Sequence, residues 1–284
     1  MHHTFKAAFL IFRCARIILW PAIILNTGIV SLFGLGVSCA NSILLALSLC
    51  CVSAYGFLIN DYHDIPVDRI NKANRLENAN EGEVRLVLLA AFFFLGMSLI
   101  LGLAFGWRGI GSSGLIDLGL AVYTFYGRKK LLFSTILCSI LSSTPLWIPM
   151  LVFDSHVTLF QLGVILVAFL ILMGRETIFD AADIDGDFSC ERRTFATVYS
   201  QQLALSVGSV LNVAGVVVLL CIASLHQLES FKPATTVVAF LFTWLLLLPA
   251  LRIKSDVNLS KRLGKYTQQS RFAMLLFPVL WLGI

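Results

Sequence analysis

Two short stretches of the chain repeat one acidic spacing. The first, NDYHDIPVD, sets Asp61, Asp64 and Asp68 in the pattern D-x-x-D-x-x-x-D. The second, DAADIDGD, sets Asp180, Asp183 and Asp187 in the same pattern. Residues at i, i+3 and i+7 share one face of a helix, so the spacing predicts two helix ends that each carry a column of three carboxylates. Such columns at a membrane surface are costly unless cations share them. Hard divalent cations suit oxygen ligands, and magnesium together with a phosphate substrate is the common arrangement. Six facing carboxylates cannot all stay ionised without counter-charge. Two or three magnesium ions bridged by a diphosphate would supply it. Asn60, four residues before Asp64, adds a neutral oxygen on that face. Metal ligation is therefore expected from Asn60, Asp61, Asp64 and Asp68 on one side, and from Asp180, Asp183 and Asp187 on the other. The nearby basic residues Arg75, Arg128, Lys129, Lys130 and Arg193 are expected to hold the remaining phosphate oxygens.

The substrate that suits such a site inside a membrane is an amphiphile with a diphosphate head and an apolar tail. An allylic diphosphate held this way can ionise, with the metals acting as Lewis acids on the departing group. The allyl cation left behind must be shielded from water and steadied by aromatic faces. The 22 Phe, 5 Trp and 6 Tyr are enough to line such a pocket, although Phe also fills ordinary membrane cores. Asp64, Asp68, Asp183 and Asp187 are the expected catalytic carboxylates, and Asp183 or Asp187 would serve as base if an aromatic acceptor has to lose a ring proton. One acidic cluster at a membrane edge is ordinarily a solvated loop; two copies with one spacing, each after a long apolar segment, argue for chemistry. Positive-inside anchoring alone would also explain Lys129 and Lys130, and an interfacial aromatic belt would also explain Tyr123 and Tyr126. Glu176, one turn before Asp180, could orient a ligand or pair with Arg175. Asp117 is an acid within an apolar segment, Asp185 falls off the acidic column, and His63 is expected to face away.

The elements that carry these motifs are membrane helices. The 284 residues are 58% hydrophobic and only 13% charged, with mean hydropathy +0.88, against about 25% charged in a soluble domain. A transmembrane helix needs roughly 20 apolar residues. Nine candidates satisfy this: about 14–36, 40–60, 85–106, 113–127, 131–153, 159–179, 198–225, 233–251 and 270–284. With that map, 19 of the 21 Lys and Arg residues fall on one side of the membrane, and only Arg108 and Lys232 on the other. The positive-inside rule then puts the N-terminus and both acidic motifs on the cytoplasmic face. The net charge of +5 is an orientation signal and gives no reason to invoke nucleic acid. Asp61 and Asp180 stand 119 residues apart, as do Asp68 and Asp187. This predicts a four-helix internal repeat, which would bring the two acidic columns together at the repeat interface. The first residues show no small-residue cleavage pattern, so a removable signal peptide is not expected. None of the seven cysteines forms C-x-x-C, and they are read as unbridged small hydrophobes.

At these residues the chain resembles the UbiA superfamily of intramembrane prenyltransferases. NDYHDIPVDRIN is similar to the family's first motif, GRETIFDAADIDGD to the second motif and its approach, and Thr194 to the threonine that follows it. YTFYGRKK is similar to the tyrosine-then-basic element after the fourth helix. The resemblance covers nearly the whole chain. It implies an all-α integral membrane bundle of nine transmembrane helices around a central cavity, forming a single domain over residues 1–284. Cytoplasmic cap loops over about 61–84 and 180–197 would close over a magnesium-bound prenyl diphosphate, with Tyr126 and Lys130 touching the diphosphate. The chain departs from the family pattern in the cap and near the acceptor: Ala73 and Leu76 stand where prolines are usual, Phe195-Ala196 replaces Leu-Pro, and the first helix reads ARIILWP. The implied activity is transfer of a prenyl group to an aromatic ring, quinone precursor or alcohol. The alternative within the superfamily is a terpene cyclase, which folds the same diphosphate on itself without a second substrate. A transporter using the acids as an ion relay fits less well, because relay acids sit at mid-membrane in broken helices.

Overall fold

The structure, a computed structural model, describes residues 2–71, 76, 78–225 and 241. The expected segments 233–251 and 270–284 lie outside the described residues, as does Arg75. Among the described residues every regular element is helical. In chain order the α-helices are α1 (His2–Cys14), α2 (Trp20–Ile29), α3 (Cys39–His63), α4 (Ile65–Asn71), α5 (Glu81–Leu103) and α6 (Gly106–Phe125). Then come α7 (Phe133–Ser142), α8 (Thr144–Val152), α9 (Leu159–Ala182), α10 (Ile184–Ser189), α11 (Phe195–Val198) and α12 (Gln201–Leu225).

Among the described residues, five stretches are long and apolar enough to cross a bilayer: Ile17–Gly34, α3, α5, α9 and Gln201–Ile222 of α12. Their length follows from the hydrocarbon thickness, and helices satisfy their own backbone groups where no water can. Several ends are set by side chains. Asn80 and Glu83 form a reciprocal capping box at the start of α5, and Thr158 and Gln161 do the same for α9.

The fifth expected segment, 131–153, is not one straight span: α7 and α8 meet at a 62° bend and form at most one broken crossing. Pro145 in the first turn of α8 has no N–H to continue the ladder. The hydroxyls at the joint turn back instead, Ser143 Oγ to the Ile140 carbonyl at 2.8 Å and Thr144 Oγ1 to that of Leu141 at 2.8 Å. The fourth segment is longer than 113–127. It begins at Gly106, three residues after α5 ends, and the Gly- and Ser-rich first half keeps α6 out of the strongly apolar set. The α5–α6 turn needs two glycines, because a Cβ at Gly109 would lie 2.2 Å from the Gly102 carbonyl oxygen.

α3 packs chiefly on α5, and α9 chiefly on α12. The second pair touches backbone to backbone: a Cβ on Gly174 would meet the Gly208 carbonyl oxygen at 2.6 Å, and one on Gly208 would meet that of Gly174 at 2.6 Å. Small residues at a crossing point let membrane helices pack this closely. Asp117 does not face solvent. It is 4% exposed and accepts from Ser98 Oγ at 2.8 Å, while Ser48 Oγ donates to the Ser98 carbonyl at 3.1 Å. That chain ties α3, α5 and α6 together. All seven cysteines lie among the described residues and none is in a disulfide.

Candidate active site

Both acidic motifs span a break between a long membrane helix and a short helix that lies across its end. α3 stops at His63, Asp64 is its C-cap, and α4 begins at Ile65. α9 stops at Ala182, Asp183 is its C-cap, and α10 begins at Ile184. Asp64 has φ −87° and ψ −1°, and Asp183 has φ −99° and ψ 12°. The same backbone bonds cross both breaks. Asp64 N–H reaches the Asn60 carbonyl at 2.9 Å and Asp68 N–H the Asp64 carbonyl at 2.8 Å; Asp183 N–H reaches Phe179 at 3.2 Å and Asp187 N–H reaches Asp183 at 2.9 Å. The acids are therefore not columns on continuous helices. In each motif the first Asp belongs to the membrane helix, the second to the joint and the third to the short helix that follows. α4 and α10 pack against one another, which brings the two motifs together.

The groups between them are arginines. Arg192 donates through Nη1 to Asp187 Oδ1 at 3.3 Å and through Nη2 to Asp64 Oδ1, so one guanidinium joins the second motif to the first. Asp64 is 8% exposed and Asp187 3% exposed, so this bridge is largely out of water. Arg16 donates to Asp61 Oδ1 at 3.2 Å and stacks over the Phe57 ring, 4.1 Å from its centroid. Left-handed residues aim both arginines. Arg16 itself has φ 49°, just past the end of α1. Glu191 has φ 55°, just past α10. There Arg192 N–H bonds the Asp187 carbonyl at 2.9 Å and Glu191 N–H bonds Phe188 at 3.2 Å, a Schellman turn with Glu in the usual glycine place. Thr194 and Thr197 then cap α11 reciprocally, and Thr197 Oγ1 also donates to the Arg192 carbonyl at 2.8 Å. The main chain at Arg192 is thus held from both sides.

Asn60 donates to Asp64 Oδ2 at 2.9 Å, which leaves its own Oδ1 buried with no hydrogen-bond partner. Asp61 is fully buried, and Asp68 is 7% exposed on the first turn of α4. Asp180 lies among Asp187, Glu176 and Asp183, with Arg192 as the nearby positive charge, and its Oδ2 is also buried without a partner. Asp183 is exposed at the joint. Glu176 pairs with Arg175 at 2.7 Å. Tyr123 is the tyrosine that shares the environment of Asp180, Glu176 and Arg192, whereas Tyr126 is 71% exposed. Lys129, Lys130 and Arg193 are exposed, and the Arg128 side chain lies outside the described residues. His63 sits against Phe125 with ring centroids 5.7 Å apart.

Among the described residues, no three His, Cys, Asp or Glu side chains converge closely enough to hold a metal ion as they stand. The donor set nonetheless fits magnesium: it is all oxygen, it comes from both helix ends, and it includes two buried oxygens, Asn60 Oδ1 and Asp180 Oδ2, that nothing else satisfies. A cationic group already stands between Asp64 and Asp187. Arg192, and not the expected Arg193, is the arginine that meets the acids. The available signal was local, since Arg192 follows α10 by only a few residues, but its direction is set by the turn at Glu191.

Comparisons with known proteins bear on the fold and the family. A digeranylgeranylglyceryl phosphate synthase of Methanosphaera stadtmanae is 29% identical over 171 residues, spanning 58% of this chain and 61% of that protein. The enzyme of that name from Thermococcus sibiricus is 22% identical, spanning 72% of this chain and 75% of its own. A structure of a digeranylgeranylglyceryl phosphate synthase superposes with TM-score 0.69 at 19% identity, covering 98% of this chain and 100% of that one. A UbiA homologue from Archaeoglobus fulgidus, bound to GPP and Mg2+, superposes with TM-score 0.69 at 17% identity, covering 95% and 99%. These structural likenesses carry the fold. The family model of the UbiA prenyltransferase family matches residues 17–273, and the chain belongs to that family.

Proposed function

We propose that this multi-pass membrane protein is a magnesium-dependent prenyltransferase that ionises an allylic polyprenyl diphosphate and transfers the prenyl group to an alcohol acceptor. The observation that carries the reading is the meeting of two acidic motifs, each broken at an equivalent joint, through one guanidinium that bridges Asp64 of the first to Asp187 of the second. The relatives' names favour an alcohol over an aromatic acceptor, and the Mg2+ and GPP of the Archaeoglobus protein support the donor and metal. Asn60, Asp61, Asp64 and Asp68 would hold metal from one side and Asp180, Asp183 and Asp187 from the other. When bound, the ions supply Lewis acidity to the leaving diphosphate. The chain's own contribution is to fix the carboxylates at helix ends, to keep Asp61, Asp64, Asp68 and Asp187 away from bulk water, and to set Tyr123 near Asp180 and Glu176. Transfer makes the bond from acceptor oxygen to prenyl C1, breaks the bond from C1 to diphosphate, and releases the acceptor proton.

The nine-helix bundle, its central cavity, a cytoplasmic active-site cap and a four-helix repeat belong to the same proposal. The common 119-residue offset of both joints supports the repeat.

The test uses purified protein in detergent with Mg2+ and farnesyl, geranylgeranyl or geranylfarnesyl diphosphate, with and without a prenylated glycerol phosphate acceptor. An ether product that requires the acceptor and disappears with EDTA is expected. A cyclic hydrocarbon formed without acceptor would make the protein a terpene cyclase instead. Asp64→Ala and Asp183→Ala are expected to abolish turnover in folded protein, and retained activity in either would refute the metal assignment.

A further inference from the structure

Arg192 bridges two carboxylates that the proposed function assigns to metal, and it does so with the side chain alone. Its N–H is bonded to Asp187 and its carbonyl to Thr197, so the backbone is held independently of the guanidinium. Its Nη1 and Nη2 reach Oδ1 of Asp187 and Oδ1 of Asp64, two oxygens 123 residues apart in sequence. A dication cannot share those oxygens with a guanidinium at contact distance without strong repulsion. Without a cation, the two carboxylates repel one another across the α4–α10 contact.

We propose that Arg192 is a built-in stand-in for the metal: it holds the two motifs together in the metal-free protein, and its guanidinium must leave Asp64 for the metal to bind. Metal binding is then an exchange of cations at Asp64. The displaced guanidinium needs a new anionic partner, and a diphosphate arriving with the metal provides one in fork geometry. The metal is therefore bound tightly only together with a diphosphate, which keeps the carboxylates covered between turnovers. Arg192 is a positioning residue in this account. The inference rests on the metal reading of the proposed function.

The test measures Mn2+ binding by electron paramagnetic resonance on purified protein in detergent, with and without inorganic pyrophosphate, and the melting temperature in EDTA. In wild type, Mn2+ alone is expected to bind weakly and Mn2+ with pyrophosphate tightly. Arg192→Gln removes the competitor, so Mn2+ alone should bind about tenfold tighter, the worth of one charge-assisted hydrogen bond. The same variant should gain less from pyrophosphate and should melt lower in EDTA. Arg192→Lys keeps the charge but cannot fork between both acids, and should fall between wild type and Gln. It also serves if the Gln variant does not fold. A structural role alone would lower the melting temperature and leave Mn2+ affinity unchanged or weaker; that result overturns the inference and leaves the metal reading standing. Failure of wild type to bind Mn2+ even with pyrophosphate overturns both.

Discussion

Asp180→Asn separates a metal-directed acid from a structural one. Asp180 ends the membrane helix α9, its Oδ2 is buried without a hydrogen-bond partner, and its neighbours include Asp187, Glu176 and Asp183. A buried acceptor left unsatisfied costs about 1–3 kcal/mol. Asparagine keeps the shape, removes the charge that three other acids oppose, and adds an N–H2 donor toward them. The metal-free protein should therefore gain on the order of 1 kcal/mol, or about 2–4 °C in Tm. The same change removes a metal ligand, so turnover should fall by at least about 100-fold. The assay is thermal unfolding in detergent, first with EDTA and then with Mg2+ and pyrophosphate. Wild type should be stabilised strongly by the second condition, and the variant little. A variant that melts several degrees below wild type in EDTA would refute the reasoning, because it would mean that the Asp180 carboxylate is a structural partner.

Two further predictions concern the scaffold. Gly208→Ala puts a methyl group 2.5 Å from Ile178 and 2.6 Å from the Gly174 carbonyl oxygen. It should cost about 1–3 kcal/mol in unfolding free energy by thermal or denaturant titration, and no cost would mean that α9 and α12 are not in backbone contact. Glu191→Gly relieves a left-handed residue at φ 55° and should stabilise the protein by up to about 1 kcal/mol in the same melts. A loss instead would show that the Glu191 side chain makes a contact worth more than the strain.

The residues decided the broad picture because hydrocarbon leaves few options. A chain that is 58% hydrophobic and 13% charged has to cross a membrane as helices, and the helix starts at Asn80 and Thr158 carry legible caps. The paired D-x-x-D-x-x-x-D motifs were equally plain, and the structure brings the short helices that carry them together. Spacing did not reveal the break inside each motif. The i, i+3, i+7 rule assumes a continuous helix, whereas Asp64 and Asp183 sit at joints. Nor did it reveal the bend at Ser143, where Pro145 and two back-bonding hydroxyls act together.

Which charged and aromatic side chains meet the acids was a matter for tertiary structure alone. Arg192 and Arg193 are adjacent in sequence, and Tyr123 and Tyr126 are three apart. Composition cannot tell the members of either pair from one another. A single left-handed residue at Glu191 turns Arg192 in between Asp64 and Asp187 and leaves Arg193 outside. Tyr123 lies within α6 near Glu176 and Asp180, whereas Tyr126 falls at the end of that helix and is exposed. Sequence thus determined that the protein is a membrane helix bundle with two acidic helix ends, because burial in lipid constrains every residue of a span. The partners of those acids depend on contacts between elements more than 100 residues apart, as from Asp64 to Arg192, and on the sense of one turn, which no local pattern encodes.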